Sequence, residues 1–433
     1  RISDRLMLDD VEQTFDQRLS MENLRTVYAE EIAGRGGTGM DGLSPSRFDE
    51  QKETELRTIQ RKCRDGSYTF TPYREVLKSR GRKRKPRVIS IPTVRDRIVL
   101  YLLKDLLHDI FDDCVNRSLP NQVVRRLKKY YLESNLDEKV VYRADIKSFY
   151  DDINHDHLER KIRSRINPEK IIKLIFRSLK TPTVPRNYRR ENKDNYIPQC
   201  GVPQGLAISN ILAEICLEGF DQKISSEVDF YERYVDDILL FCDADDVSEK
   251  YTLIGKNLTE RGDLSLNEDK SKPIDVEDGF QYLGYRFDGD NISVKQKSVD
   301  EFIDSVASLF TYLRENIEIE IKERYGVDRE RLKSIFVEKI NEKLTGVVSK
   351  DNRYGWVFYF MEINDEALLH QIDSIVEDFF KRSPLFDEVP SNLKSIARAY
   401  WEVKSRPRGG YVQNYDQFET PKEKYGYLRD HGV

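Results

Sequence analysis

Two adjacent carboxylates, Asp236 and Asp237, stand between two short apolar runs, Phe230-Tyr231 and Ile238-Leu239-Leu240-Phe241. Apolar runs of strand length on either side of a few polar residues make a hairpin, so Tyr234-Val235-Asp236-Asp237 is expected at its turn. Neighbouring carboxylates repel unless a hard cation neutralises them, and Mg²⁺ favours a few carboxylates plus the phosphates of a bound nucleotide. Taken alone, the turn reads equally well as a metal site or as a surface loop, because Asp is common in hairpin turns.

The rest of the chain narrows the choice. At 433 residues it is too long for one simple core, and two or three subdomains are expected. Charged residues at 34% against 38% apolar indicate a soluble globular chain, and no apolar run reaches the roughly 18 residues needed to span a membrane, so a cytoplasmic address is the default expectation. The five cysteines are widely spaced with no C-x-x-C pair, which argues against a disulfide framework or a zinc site. A net charge of −5 excludes a uniformly basic nucleic-acid binder, but the distribution is uneven. Lys78 to Arg87 reads KSRGRKRKPR, a solvated loop or a phosphate grip. A second basic stretch, Arg160 to Lys193, includes Arg177, Lys180, Arg186, Arg189 and Arg190, with Tyr188 and Tyr196 interleaved nearby, a pattern that suits a nucleic-acid strand or a solvated helix face.

Val94, Ile98, Leu102, Leu106 and Ile110 recur every four residues and predict a helix with one buried stripe. Lys139 to Ile146 reads as a strand, Ser209 as the N-cap of a helix, and Phe280 to Phe287 as a strand followed by a turn at Asp288-Gly289-Asp290-Asn291. From Phe302 to Tyr400 the periods are helical, and the segment from Arg406 onward reads as an irregular tail. Gly34 to Gly42 lacks the Lys-Ser/Thr of a nucleotide-binding P-loop and reads as a flexible connection.

Asp145 ends the strand containing Val140-Val141-Tyr142-Arg143 and opens Asp145-Ile146-Lys147-Ser148-Phe149-Tyr150-Asp151. Beside the hairpin pair it would complete a three-carboxylate site, the number that two-metal phosphoryl transfer requires. The competing reading is an Asp that ends a strand or caps a helix.

At this point the chain resembles a reverse transcriptase of the bacterial, group II intron-related lineage. Asp145 to Asp151 is similar to that family's first catalytic motif, and Gly201 to Ser209 to its Pro-Gln-Gly motif. Tyr234 to Asp237 resembles its tyrosine-x-Asp-Asp box, Gln281 to Tyr285 its primer grip, and Arg87 with Ile91-Pro92 and Arg95-Asp96-Arg97 its fingers motif. The resemblance implies an α+β right-hand polymerase fold with fingers, a palm of antiparallel sheet plus helices, and an α-helical thumb and C-terminal domain. It divides the chain into 1–86 (N-terminal extension and start of fingers), 87–138 (fingers), 139–157 (palm, first catalytic motif), 158–198 (fingers insertion), 199–295 (palm and primer grip) and 296–433 (helical thumb and C-terminal region).

The resemblance also implies roles. Asp145, Asp236 and Asp237 would hold two Mg²⁺ ions, with Mn²⁺ as a substitute, Asp237 being the most peripheral. Tyr150 would be the steric gate that rejects a 2′-hydroxyl, and Arg87 would pair with the triphosphate. Gln204 and Gly205 would let the backbone approach nucleotide and template, Lys270 would protonate departing pyrophosphate, and Tyr282, Leu283 and Gly284 would press on the primer terminus. Expected partners are an RNA template, a DNA primer or product and deoxynucleoside triphosphates, with a partner protein or homo-oligomer also open and no membrane. Leu344-Thr345-Gly346 and Tyr354-Gly355-Trp356-Val357-Phe358-Tyr359-Phe360 resemble the family's thumb.

In layout the chain is closest to defence-associated reverse transcriptases of the type 3 class, which work with a non-coding RNA. A retron-type enzyme is the nearest alternative: Leu344-Thr345-Gly346 is similar to its Val-Thr-Gly signature, but its Asn-Ala-x-x-His motif is missing. An intron-type enzyme is another alternative, although no zinc-finger, His-Asn-His or RNase H pattern is found. A template-independent nucleotide polymerase and a non-catalytic RNA-binding scaffold complete the readings.

Overall fold

The computed structural model describes residues 8–34, 36–79, 85–319, 328–349, 352–406 and 410–418. The fold is α+β and divides into two compact units, Arg1–Arg117 with Tyr142–Pro273, and Ser118–Val141 with Ile274–Val433.

In the first unit the helix Val94–Ile110 forms where the four-residue period predicts it. Thr93 caps it by accepting from the Asp96 amide, and Val94, Ile98, Leu102 and Leu106 are fully buried. The helices Leu8–Arg18, Met21–Val27 and Lys52–Arg64 pack against it and bury Phe15, Leu24, Leu56 and Ile59. Strands Tyr73–Lys78 and Arg87–Ile91 pair antiparallel, while Thr183–Val184 joins the first of them in parallel. Residues 80–84 of the basic run lie outside the described residues.

Within the glycine-rich segment, residues 36–39 are packed rather than slack. Arg74 Nε donates to the Thr38 carbonyl at 2.7 Å, and a Cβ on Gly39 would lie 2.7 Å from Thr93 Cα. Glycine is needed there because two backbones meet. Ser209 is also not a cap: it is the first residue of the helix Ser209–Cys216, and its hydroxyl donates to the Pro203 carbonyl at 2.6 Å.

A four-stranded sheet holds Phe230–Tyr234, Asp237–Asp243, Lys139–Asp145 and Lys272–Asp275, in that order. The expected hairpin is present, with Tyr234 opposite Asp237 and the two-residue turn Val235-Asp236 between them. Ile238 to Phe241 are fully buried, which fixes the register and therefore the position of the turn.

In the second unit the segment expected as one strand, Phe280 to Phe287, is two. Phe280–Tyr282 and Tyr285–Asp288 pair antiparallel about the turn Leu283-Gly284, and Asn291–Val294 adds a third strand after a turn at Gly289-Asp290. Both Leu283 (φ +46°) and Gly284 (φ +84°) have positive φ, the requirement of the tight hairpin turns whose twist matches that of the strands. Phe280 and Phe287 stack 4.7 Å apart, with Tyr131 edge-on to both.

Helices Gln296–Ile319, Arg329–Thr345, Glu366–Arg382 and Ile396–Ser405 match the helical periods of the last third. They carry in addition a small sheet of Asn352–Tyr354, Val347–Ser349 and Gln413–Asn414. Part of the segment expected as an irregular tail is therefore ordered: Gln413 and Asn414 pair in parallel with Val347 and Val348, and the Tyr415 hydroxyl bonds Glu342. Residues 419–433 lie outside the described residues. The Leu344-Thr345-Gly346 and Tyr354-Gly355-Trp356 segments meet, since a Cβ on Gly355 would stand 2.6 Å from Gly346 Cα.

Candidate active site

Strand pairing brings the catalytic candidates together. The Ile146 amide donates to the Asp236 carbonyl at 3.0 Å, which ties the end of the Asp145 strand to the hairpin turn. Val235 has φ +60°, unfavourable for a β-branched residue, and Arg233 holds it there. The Arg233 guanidinium is 2% exposed, pairs with Glu214 at 2.7 Å and Asp221 at 2.6 Å, and donates to the Val235 carbonyl at 2.9 Å. The turn is thus braced from beneath by a paired, buried cation.

Each carboxylate sits in a different environment. Asp145 receives Lys270 Nζ on both oxygens, at 2.6 and 2.7 Å, and the Asn267 side-chain amide at 3.2 Å. Asp237 receives Arg143 Nη2 on both oxygens at 3.0 Å. Burial pushes the Asp236 carboxyl above its ordinary range, and the negative charge of Asp145 pushes the same way, while Lys270 and Arg87 oppose it. Burial also raises Asp237, against the pull of Arg143. Lys270, expected to protonate departing pyrophosphate, lies on Asp145 in this structure.

A cavity of about 590 Å³ in the first unit is lined by Arg87, Tyr150, Gln204 and Gly205, four residues expected to contact nucleotide. Tyr150, on the cavity wall, follows Asp145 by five residues, and the charge of Arg87 acts on both Tyr150 and Asp236. The Tyr150 hydroxyl donates to Asn210 at 2.8 Å, and burial pushes it up to about 12, so it stays neutral and its ring forms the wall. The Pro-Gln-Gly loop is laced to its neighbours by backbone bonds. Val202 N donates to Tyr150 O and Ser90 N to Gln204 O, both at 2.7 Å. Gly205 has φ +103°, and a Cβ there would lie 2.8 Å from Ser90 O, so this position requires glycine twice over.

Sequence reasoning missed Glu31, Ile32 and Tyr101, which line the same cavity. Glu31 and Ile32 lie on the π-helical turn Tyr28–Ile32, more than fifty residues before Arg87, and no local pattern connects them to it. Asn267 and Arg143 were missed for the same reason.

The second basic stretch divides. Arg177 donates to the carbonyls of Gly66 and Tyr68, and Arg165 pairs with Asp113 and Glu218, so both serve the fold. Arg186, Arg189, Arg190 and Lys193 are exposed, beside Tyr188 and Tyr196 whose rings meet edge-on at 6.5 Å. In the second unit, Tyr282 is buried and Leu283 and Gly284 form the apex of their turn.

Residues 76–287 match the family described as reverse transcriptase (RNA-dependent DNA polymerase). The chain carries a reverse transcriptase domain. That domain has the fold of a right-hand polymerase and the enzyme class of an RNA-directed DNA polymerase. Protein YkfC of Escherichia coli is 24% identical over 298 residues, 57% of this chain and 75% of that protein. The group II intron-encoded protein LtrA of Lactococcus lactis is 24% identical over 219 residues, 50% of this chain but only 36% of LtrA. A solved structure of telomerase from Candida albicans, in complex with a fragment of telomeric RNA, covers 79% of this chain and 69% of its own at 13% identity and a TM-score of 0.43.

Reverse transcriptase domains generally use divalent metal ions. The donor set here fits such ions: hard oxygen ligands, two of them reluctant to ionise because of burial and mutual repulsion, with Lys270 and Arg143 supplying positive charge. Among the described residues, the trio whose ligand atoms all lie within 4.8 Å of one another is Asp113, Cys114 and Glu218, with Arg165 already paired to both carboxylates. The three aspartates do not converge that closely, so the Lys270 and Arg143 contacts would loosen as a cation is bound. No helix among the described residues is long and apolar enough to cross a membrane.

Proposed function

We propose that this chain synthesises DNA on an RNA template by two-metal nucleotidyl transfer, with Mg²⁺ held by Asp145, Asp236 and, more peripherally, Asp237. The observation that carries the reading is that the segment joined to the Asp236 turn by the Ile146 amide, 3.0 Å from the Asp236 carbonyl, also supplies Tyr150 to the cavity lined by Arg87, Gln204 and Gly205. A pair of such ions, when bound, would acidify the primer 3′-hydroxyl and neutralise the triphosphate. The protein's part is placement. Arg87 offers a guanidinium to the phosphates, the Tyr150 ring occupies the space a 2′-hydroxyl would need, and the Gly205 backbone gives close approach because it bears no side chain. Lys270, freed from Asp145, would serve as the proton donor to departing pyrophosphate, and Tyr282, Leu283 and Gly284 would seat the primer terminus.

The layout of the chain supports a narrower reading as well: a cytoplasmic enzyme of bacterial antiphage defence, acting with an associated non-coding RNA. The experiment is incorporation of labelled deoxynucleotides on RNA by the wild type, Asp145→Asn and Asp236→Asn, together with sequencing of copurifying RNA and phage plating. Loss of incorporation by roughly a thousandfold with unchanged melting supports the catalytic reading. Undiminished incorporation by either variant overturns it. Incorporation that survives removal of all RNA favours a template-independent polymerase, and plating unaffected by Asp236→Asn removes the defence role.

A further inference from the structure

The turn Leu283-Gly284 is held from outside its own hairpin. Left-handed φ at Leu283 is unfavourable for a residue with a side chain, so contacts elsewhere must fix it. Three of them come from the second unit. The Tyr359 hydroxyl donates to the Leu283 carbonyl at 3.1 Å, and the Lys295 amide donates to the Gly284 carbonyl at 2.8 Å. In return, the Tyr285 hydroxyl, just past the turn, donates to the Tyr359 carbonyl. The Tyr285 and Tyr359 rings lie nearly parallel at 6.4 Å, and Phe360 packs so closely that a Cβ on Gly284 would come within 3.2 Å of its ring.

From this reciprocal bonding we infer that Tyr359 is a positioning residue for primer binding: it sets the turn that seats the primer terminus. The inference rests on the function proposed above. It gives the Tyr-Gly-Trp-Val-Phe-Tyr-Phe segment a task distinct from cradling duplex. Trp356 and Phe360 pack inward, tilted rings 4.8 Å apart, while Tyr359 is 39% exposed and its hydroxyl reaches the turn. A side chain so exposed contributes little to the core, and its hydroxyl can be removed without opening a cavity.

The test uses the full chain and Tyr359→Phe, which deletes only the hydroxyl. Extension of a labelled DNA primer on an RNA template is measured by varying primer–template at saturating deoxynucleotide, and then the reverse. Binding of the same duplex is followed by fluorescence anisotropy. The expected result is a KM and Kd for primer–template raised about fivefold, with the deoxynucleotide KM and the Tm unchanged. Tyr359→Leu, which also removes the ring, should raise them further. A Tyr359→Phe chain that binds and extends primer as the wild type does overturns the inference, as does one whose Tm falls while both KM values rise together. A wild type that extends no primer overturns the proposed function itself.

Discussion

Arg143 and Asp237 lie 94 positions apart, yet one guanidinium nitrogen stands 3.0 Å from both oxygens of the carboxylate. The Asp237 carboxylate is thereby paired within the protein, in keeping with the peripheral metal role proposed for it. Arg143→Met should destabilise the chain by about 1–3 kcal/mol, because a half-buried carboxylate loses its charged hydrogen-bond partner. Adding Asp237→Asn should recover a large part of that loss. Urea melts of the four chains give the coupling, and strictly additive effects would show that the pair is not energetically linked.

Tyr150 is a wall rather than an acid. If the ring is the gate proposed above, Tyr150→Ala should admit ribonucleotides and lower the preference for deoxynucleotides by about tenfold or more, whereas Tyr150→Phe should keep it. Competitive single-nucleotide incorporation measures the ratio. A loss of preference in Tyr150→Phe equal to that in Tyr150→Ala would shift the role to the bond with Asn210.

Asp96 gives the chain a pH-dependent element of stability. It is 1% exposed and accepts from Tyr68 Oη and Thr93 Oγ1, both at 2.8 Å, and from the Thr71 amide at 3.2 Å; burial nonetheless pushes it up to about 6, from an ordinary 3.8. Between those values the folded chain holds a proton that the unfolded chain has released. The contribution is therefore full below about pH 4 and lost as the pH rises through about 6, on the order of 3 kcal/mol in all. The stability difference between wild type and Asp96→Asn, followed by urea melts from pH 4 to 7, should drift by that order in this direction. A difference independent of pH would be incompatible with the buried carboxyl described here.

Gly39 is where the first unit would fail most abruptly. Gly39→Ala must push against the Thr93 backbone at the start of the long helix and should cost about 1–3 kcal/mol. Gly42→Ala meets nothing within 4 Å, and only its φ of +70° opposes it, so a cost of about 1 kcal/mol is expected. Thermal melts of both variants decide, and equal tolerance of the two would mean that Gly39 is not in contact.

The site was legible where the chemistry lies on regular elements. Alternating or continuous apolar residues around Asp145 and Asp236 declared the strands, and the four-residue period from Val94 declared the helix. What escaped notice depends on pairing across the fold or on the sign of one dihedral. Tyr282-Leu283-Gly284-Tyr285 carries apolar and aromatic side chains on either side of its turn, and Leu283 has none of the Asn or Asp signal that marks such turns. Arg143, Asn267 and Glu31 each gain their place from a neighbour far away in sequence, which no local window contains. The close packing of Gly36 to Gly39 was hidden likewise, because glycine marks slack and close contact alike.

The meeting of Gly346 and Gly355 has a consequence for how this region can change. Any side chain on Gly355 would strike Gly346 itself, and one on Gly346 would strike the Tyr354 carbonyl and the Phe358 ring. Neither position offers a first step, since a substitution at one cannot be accommodated by trimming a partner that is already bare. A mutational library over residues 344–360 should therefore return two forbidden columns, nine apart, that behave as a single hinge pin: replaced nowhere, or only together with the strands it joins.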